Sequence, residues 1–446
     1  MQRKVSRVCA LLLTSLALYA SCAAETAIAQ PATSTAAKES PPPMPVSAAR
    51  QGFTPAQAAD LLKRFNNEEA LKGGDVSLFA FSNFTEVQKV AVIGRNGPVV
   101  MLERRIDPKL GQVRFKSDLG DLTLADYLAH SKSRTQGFVV VHKGRIVYED
   151  YPGMKPNDYH IWMSTTKTVA SLMLRLLAED GKVDVKQPLT TYLPWLRGSE
   201  WQDVKVIDAL DMATGMAAIE NDATRADPDS AYTRMNLAGS GVPHKGKVES
   251  MKDVLASTRR IGPPGVAFEY GSPITLLLPL IVEEVTGRRW VDLFEERVWG
   301  RMSVEGDMLM GVTPDGLALA HGVAITRLRD LARYGMLYTP SWNKAARERI
   351  VSAAYLAELQ KGGNPQAFKV GYNVERNTKR FGEAPVSNHW QWDAVFADGD
   401  LWKSGFQGQG LYVSPKRDVV VAFFSTTYND LPGYARAIAK TFPAGR

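Results

Sequence analysis

Apolar positions follow two regimes along this chain. Near the middle and at the C-terminal end they come as short continuous runs. Phe138-Val139-Val140-Val141 and Arg145-Ile146-Val147-Tyr148 flank Lys143-Gly144, and Leu411 to Val413 and Val419 to Phe424 flank Pro415-Lys416-Arg417-Asp418. Both read as strand pairs closed by turn residues. Lys89 to Ile93 and Val99 to Glu103, around Asn96-Gly97, predict a third hairpin. Elsewhere the period is helical: Ala56 to Phe65, Leu122 to Ser131, Thr168 to Asp180 with Gly181 as its stop, Val206 to Met212, Val254 to Arg259, Thr275 to Thr286, Arg327 to Tyr338 and Tyr434 to Thr441. Strands at both ends with helices inserted between them predict one sheet assembled from distant parts of the chain, with a helical lobe beside it.

The N-terminus breaks this pattern. Arg3, Lys4 and Arg7 precede an apolar stretch from Val8 to Ala20, and Ala27-Ile28-Ala29 offers a small-x-small site. This predicts a signal peptide over residues 1–29 that directs the chain to the periplasm or medium, with cleavage after Ala24 or a lipoprotein site at Ser21-Cys22 as alternatives. The stretch is too short for a comfortable membrane span, so no stable insertion is expected once it is removed. Both cysteines, Cys9 and Cys22, lie inside it, which leaves the mature chain without disulfides, thiol catalysis or cysteine metal sites. Residues 30–50, rich in Pro, Ala and Ser, read as a disordered linker. Residues 51–446 form the globular part: 51–163 and 321–446 as α/β, 164–320 as mostly helical. The net charge of +7 over 446 residues comes without a basic block, so nucleic acid is excluded as a partner. Oligomeric state is not encoded in any pattern seen here.

The chemistry concentrates at Ser164-Thr165-Thr166-Lys167, heading the Thr168 helix. Residues i and i+3 share a helix face, so an amine sits beside a hydroxyl. A lysine with a depressed pKa can serve as base for a serine nucleophile, and the helix N-terminus favours developing negative charge. A second copy, Ser341-Trp342-Asn343-Lys344, follows Pro340 and reads as a helix N-cap. The six histidines, His130, His142, His160, His244, His321 and His389, show no zinc spacing. Gly241 to Val248 lacks the hydroxyl a phosphate loop needs, and no Gly-x-Ser-x-Gly elbow occurs.

Ser164-Thr165-Thr166-Lys167, Tyr270-Gly271-Ser272 after Pro263-Pro264-Gly265, and Gly405-Phe406-Gln407-Gly408 resemble, in this order and spacing, the motifs of the serine β-lactamase-like hydrolases. Leu210 to Met216 resembles that family's turn after its second helical element. Within the superfamily the likeness is greatest to nylon-oligomer (aminohexanoate-dimer) hydrolases and related esterases. The resemblance implies a β-lactamase/transpeptidase-like α/β fold: an antiparallel sheet flanked by helices, an all-helical domain, and the site in the cleft between them. It implies Ser164 as acylated nucleophile, Lys167 as its base, Tyr270 as proton relay, and backbone N–H groups of Ser164 and Phe406 as the oxyanion hole. Ser272, Gln407 and Trp402 are expected to touch substrate, with Trp390 and Trp392 as further candidates for an apolar pocket. The implied activity is cleavage of a small-molecule amide or ester, with no metal or organic cofactor. A β-lactamase, a cell-wall D-amino-acid peptidase and a catalytically degenerate ligand-binding member are the alternatives. The pattern Lys-Thr-Gly, which penicillin-recognising members carry on the facing strand, is matched here to Gly405-Phe406-Gln407, so poor β-lactam turnover is expected, with Lys403 as the residue that would supply the charge under another strand register.

Overall fold

The computed structural model describes residues 43–371 and 373–445. The predicted signal peptide, its two cysteines and the linker up to residue 42 lie outside the described residues. Residues 43–50 do not behave as a linker: Ser47–Gln51 is a short helix, Met44 N–H donates to Asp75 Oδ1 at 2.7 Å, and Arg134 donates to the Met44 carbonyl at 3.0 Å. Low apolar content hid these polar anchors.

The main sheet has eight strands in the spatial order Ser387–His389, Trp392–Val395, Leu401–Gly405, Gln409–Ser414, Val419–Ser425, Thr135–His142, Arg145–Asp150, Glu103–Arg104. Neighbours are antiparallel except the last pair, where Glu103 and Arg104 run parallel to Arg145 and Ile146. The C-terminal strand lies against the Thr135–His142 strand, with Val420 opposite Val141 and Phe423 opposite Phe138. The apolar runs are continuous because both faces are covered. Val139, Val141, Leu411 and Val420 face one core, which includes Leu331 of the Leu328–Met336 helix. Phe138, Val140, Tyr412 and Phe423 face a second core with Tyr434 and Ile438 of the Leu431–Thr441 helix.

The hairpin predicted at Asn96-Gly97 does not form. Val90–Ile93 pairs instead with Met308–Gly311 in a separate four-stranded antiparallel sheet that continues through Ala324–Arg327 to Tyr159–Ile161. Gly94 N–H donates to Glu295 Oε2 at 2.6 Å and Arg95 N–H to Asp307 Oδ1 at 2.8 Å, so tertiary partners claim the donors that a local turn would have used.

Between two strands of this smaller sheet, Tyr159–Ile161 and Met308–Gly311, residues 164–307 form helices joined by loops. The Lys167–Glu179 helix packs against Ser272–Thr286, a helix buried over most of its length. Sheet and helical block meet at a two-residue turn, Trp390-Gln391, with φ of 47° and 67°. Left-handed backbone at two non-glycine residues is costly and persists only where neighbours over-determine it. Gln391 N–H donates to the Leu210 carbonyl at 2.8 Å, Trp390 N–H to Asp211 Oδ1 at 2.9 Å, and the His389 ring lies 2.9 Å from the same carboxylate. Trp390 and Trp392 are buried in the main core, and neither lines the cleft. Ser341 is not an N-cap: Thr339 caps that 3-10 turn, and the Ser341 hydroxyl donates to Asp418 Oδ2 at 2.6 Å.

Candidate active site

The chain enters the site from the strand Tyr159–Ile161. Trp162 is pinned by its N–H to the Ala324 carbonyl at 2.8 Å and by its indole N–H to Thr326 Oγ1 at 2.8 Å. Met163 then takes a left-handed φ of 49°, and the turn from Met163 to Thr166 is 3-10 before the α-helix begins at Lys167. A non-glycine residue held at positive φ beside a reactive group is a strain that the fixed Trp162 and Thr166 positions sustain. Ser164 is thereby left half-buried on the cleft wall.

Lys167 is fully buried. Its three ammonium donors are all engaged: Ser164 Oγ at 3.1 Å, Ser272 Oγ at 2.9 Å and the His321 carbonyl at 2.6 Å. Burial, against the pull of Glu220 and with a further push from Lys403, brings its pKa down to about 7. Ser272 passes the network on, donating to Glu220 Oε2 at 2.6 Å, and Arg225 holds the other oxygen at 3.1 Å. Glu220 can reach this position because residue 271 is glycine. A Cβ there would stand 1.9 Å from the Ala218 carbonyl oxygen, so the loop carrying Glu220 lies directly on the backbone beside Tyr270.

Two lysine amines lie close to the Tyr270 ring: Lys167 Nζ 5.1 Å and Lys403 Nζ 4.8 Å from its centroid. Lys403 is itself fully buried and donates to Asp393 Oδ1 at 2.5 Å. Burial lowers its pKa although Asp393 works the other way. Asp393 also accepts the Ser404 N–H at 2.9 Å and the Ser404 hydroxyl. The strand ends at Gly405, where a Cβ would meet the Trp162 carbonyl oxygen at 2.4 Å, so the absence of a side chain lets the strand close onto the Ser164 turn.

The structure brings Ser164, Lys167, Tyr270, Ser272 and Phe406 to one cleft. Two expected contacts are not there. Gln407 has a left-handed φ of 58°, is buried, and donates its amide to the Leu71 carbonyl. Trp402 is buried in the second core, 5.4 Å from Phe381 and 5.8 Å from Phe423 between ring centroids, because alternate strand residues face opposite sides. The match of Lys-Thr-Gly to Gly405-Phe406-Gln407 is also displaced. The lysine facing Tyr270 is Lys403, and Lys403-Ser404-Gly405 differs from the pattern only in which hydroxyl residue it carries. That triplet was the signal available in the sequence; Glu220 and Asp393, isolated acids in their segments, offered none.

Residues 122–444 match the family model described as Beta-lactamase. A 6-aminohexanoate-dimer hydrolase from Paenarthrobacter ureafaciens is 28% identical over 350 residues, which cover 78% of this chain and 85% of that protein. Among solved structures, a Bacillus anthracis protein proposed to be a 6-aminohexanoate-dimer hydrolase shares the fold with a TM-score of 0.68 at 20% identity, covering 82% of this chain and 93% of that one. A family VIII carboxylesterase does so with a TM-score of 0.53 at 15% identity, covering 77% and 100%.

Proposed function

Given that the chain belongs to the beta-lactamase family and is a hydrolase of that fold, we propose that it cleaves an amide or ester bond through an acyl-enzyme on Ser164. The observation that carries this is Lys167: a fully buried amine 3.1 Å from a cleft serine, with a pKa brought down to about 7. At neutral pH a large fraction is unprotonated and able to take the Ser164 proton as Oγ attacks the substrate carbonyl carbon. The carbonyl oxygen gains the negative charge, and the backbone N–H groups of Ser164 and Phe406 receive it. The C–O or C–N bond then breaks, with the proton reaching the leaving group by way of the Tyr270 hydroxyl. Tyr270 suits this relay because Lys403 and, once it has taken the Ser164 proton, Lys167 hold positive charge close to its ring and favour the phenolate that forms in passing. Water repeats the attack on the ester and releases the acid.

The test is a fluorophosphonate label mapped by mass spectrometry. Ser164 should carry the adduct, Ser164→Ala should take none, and Ser341→Ala should label like the parent. A label on Ser341, or none on the parent protein, overturns the proposal and favours a ligand-binding member. Export belongs to the same proposal and rests on the leader read at residues 1–29. N-terminal sequencing of protein recovered outside the cytoplasm should begin at Gln30.

A further inference from the structure

Lys167 has to lose a proton before it can act as a base, and the loss changes what its amine can donate. The ammonium form spends its N–H groups on Ser164, Ser272 and the His321 carbonyl. The neutral amine has one N–H fewer and gains a lone pair, so one of these contacts must reverse. The His321 contact cannot, because a carbonyl oxygen only accepts. Whether the lone pair meets Ser164 or Ser272 then depends on which hydroxyl has its hydrogen to spare. The Ser272 hydrogen is committed to Glu220 Oε2 at 2.6 Å, and Glu220, a buried residue, only accepts as a carboxylate. Glu220 is itself fixed in place: Arg225 donates to its Oε1 at 3.1 Å, and its backbone N–H donates to the Tyr270 carbonyl at 2.7 Å. Ser272 is therefore left to receive an N–H from Lys167 in either protonation state. The contact that reverses is the one to Ser164.

We propose that Glu220 is a positioning residue for acyl transfer: acting through Ser272, it sets the direction of the hydrogen-bond chain and turns the lone pair of neutral Lys167 onto the Ser164 hydroxyl. The Ser164 O–H bond then breaks as an N–H bond forms on Lys167, and the Oγ electron pair goes to the substrate carbonyl carbon. Ser272 keeps its own proton throughout. This deepens the acyl-transfer proposal above and rests on it. Glutamine at residue 220 shows what the carboxylate contributes. Arg225 has only donors, so the amide must turn its oxygen to Arg225 and its NH2 to Ser272. The Ser272 hydrogen would then be free to take the Lys167 lone pair in competition with Ser164. The carboxylate also acts on the same amine by charge. The titratable groups around Lys167 are Glu220, Lys403, Asp393, the Tyr270 phenol and the His321 ring, whose pKa burial and then Lys167 bring down to about 3. Against the drop that burial imposes on Lys167, Glu220 supplies the largest upward pull, so its neutralisation lowers that pKa further.

The experiment follows kcat/KM for p-nitrophenyl hexanoate from about pH 5 to about pH 9.5 in the full chain as expressed, in Glu220→Gln, in Ser272→Ala and in the double variant. On the alkaline plateau, where Lys167 is neutral, Glu220→Gln should lower the rate roughly ten- to a hundredfold. Its midpoint should also move below about 7, because the ammonium has lost its strongest counter-charge. A residue that merely shaped its loop would leave the midpoint in place. In the Ser272→Ala background the same substitution should cost less than about threefold, since the chain it directs is already cut. Should Glu220→Gln fail to fold, Ser272→Ala decides by itself, with the same plateau loss expected. A plateau within about threefold of the parent in either single variant overturns the proposal. So does an unmoved midpoint in Glu220→Gln, or losses that multiply in the double variant. Any of these, in a parent protein whose Ser164 takes the fluorophosphonate label, leaves acyl transfer standing. No label on Ser164 of the parent removes both.

Discussion

Lys167 shows how one side chain acquires a function from its surroundings. Free in water it titrates near 10.5; the apolar helix pair around it brings this to about 7. The base must be unprotonated, so kcat/KM for p-nitrophenyl hexanoate should be low in acid, rise through about pH 7 and then level off. Lys167→Arg should abolish that rise and lower the rate by about a thousandfold, since a guanidinium cannot accept the proton. A variant that kept most of the parent rate would remove Lys167 from the mechanism. Individual residues were legible where their spacing carried geometry. Ser164 and Lys167 meet because i and i+3 share a face, a relation visible in the letters alone. Trp402 and Gln407 were misread because adjacency to a motif says nothing about direction. In a strand the neighbour of a cleft residue points away from the cleft, and Lys403, not Trp402, faces it.

At the scale of elements, contact between the Leu401–Gly405 strand and the Ser164 turn sets the spacing of the two proposed oxyanion donors. Gly405→Ala places a methyl against the Trp162 carbonyl and should push the strand away. A displacement of about 1 Å is enough to lower acylation by about a hundredfold. The overpacking itself should cost about 1–3 kcal/mol of stability, measured by urea unfolding. Unchanged acylation would show that the strand yields elsewhere. The turn at Trp390-Gln391 carries a pH dependence. His389 has its pKa raised to about 9 by Asp211 and then Glu358, in spite of burial. A group raised on folding stabilises fully below its unfolded value of about 6.5 and loses that contribution as pH climbs through about 9. Lys167, depressed on folding, has the opposite slope between about 7 and 10.5. The difference between parent and His389→Gln isolates the histidine, and it should shrink by on the order of 1–3 kcal/mol from pH 6 to pH 9.5. A difference independent of pH contradicts this assignment. These joints were not legible in the sequence, because a strained turn of tryptophan and glutamine looks like neither a glycine turn nor a strand. The same holds for Asn96-Gly97, whose hairpin signal lost to Glu295 and Asp307.

At the scale of the whole molecule, the expectation for β-lactams turns on Asp393. The match of Lys-Thr-Gly to residues 405–407 predicted poor β-lactam turnover for want of a lysine; Lys403 and Ser404 are present, but Asp393 already holds both. A β-lactam carboxylate seated on them would face that acid. A chromogenic cephalosporin should therefore have a kcat/KM well below that of p-nitrophenyl hexanoate, and Asp393→Asn should raise the cephalosporin-to-ester ratio about tenfold. A parent enzyme that prefers the cephalosporin would establish the β-lactamase alternative. The overall architecture was the most legible level, since the order of strand-like and helix-like segments fixes few sheets. The covering of the cleft was the least. Its apolar half takes Phe65, Ala70, Leu71 and Phe84 from residues upstream of the family match at 122, and Gln407 fastens this stretch through the Leu71 carbonyl. The proposed acyl-transfer groups and this part of the cleft wall thus come from separate intervals of the sequence. Substitutions at Phe65 or Phe84 can therefore reshape that half of the cleft while leaving Ser164, Lys167 and Tyr270 as they are, whereas changes near Leu71 reach Gln407 and, through it, the neighbouring Phe406.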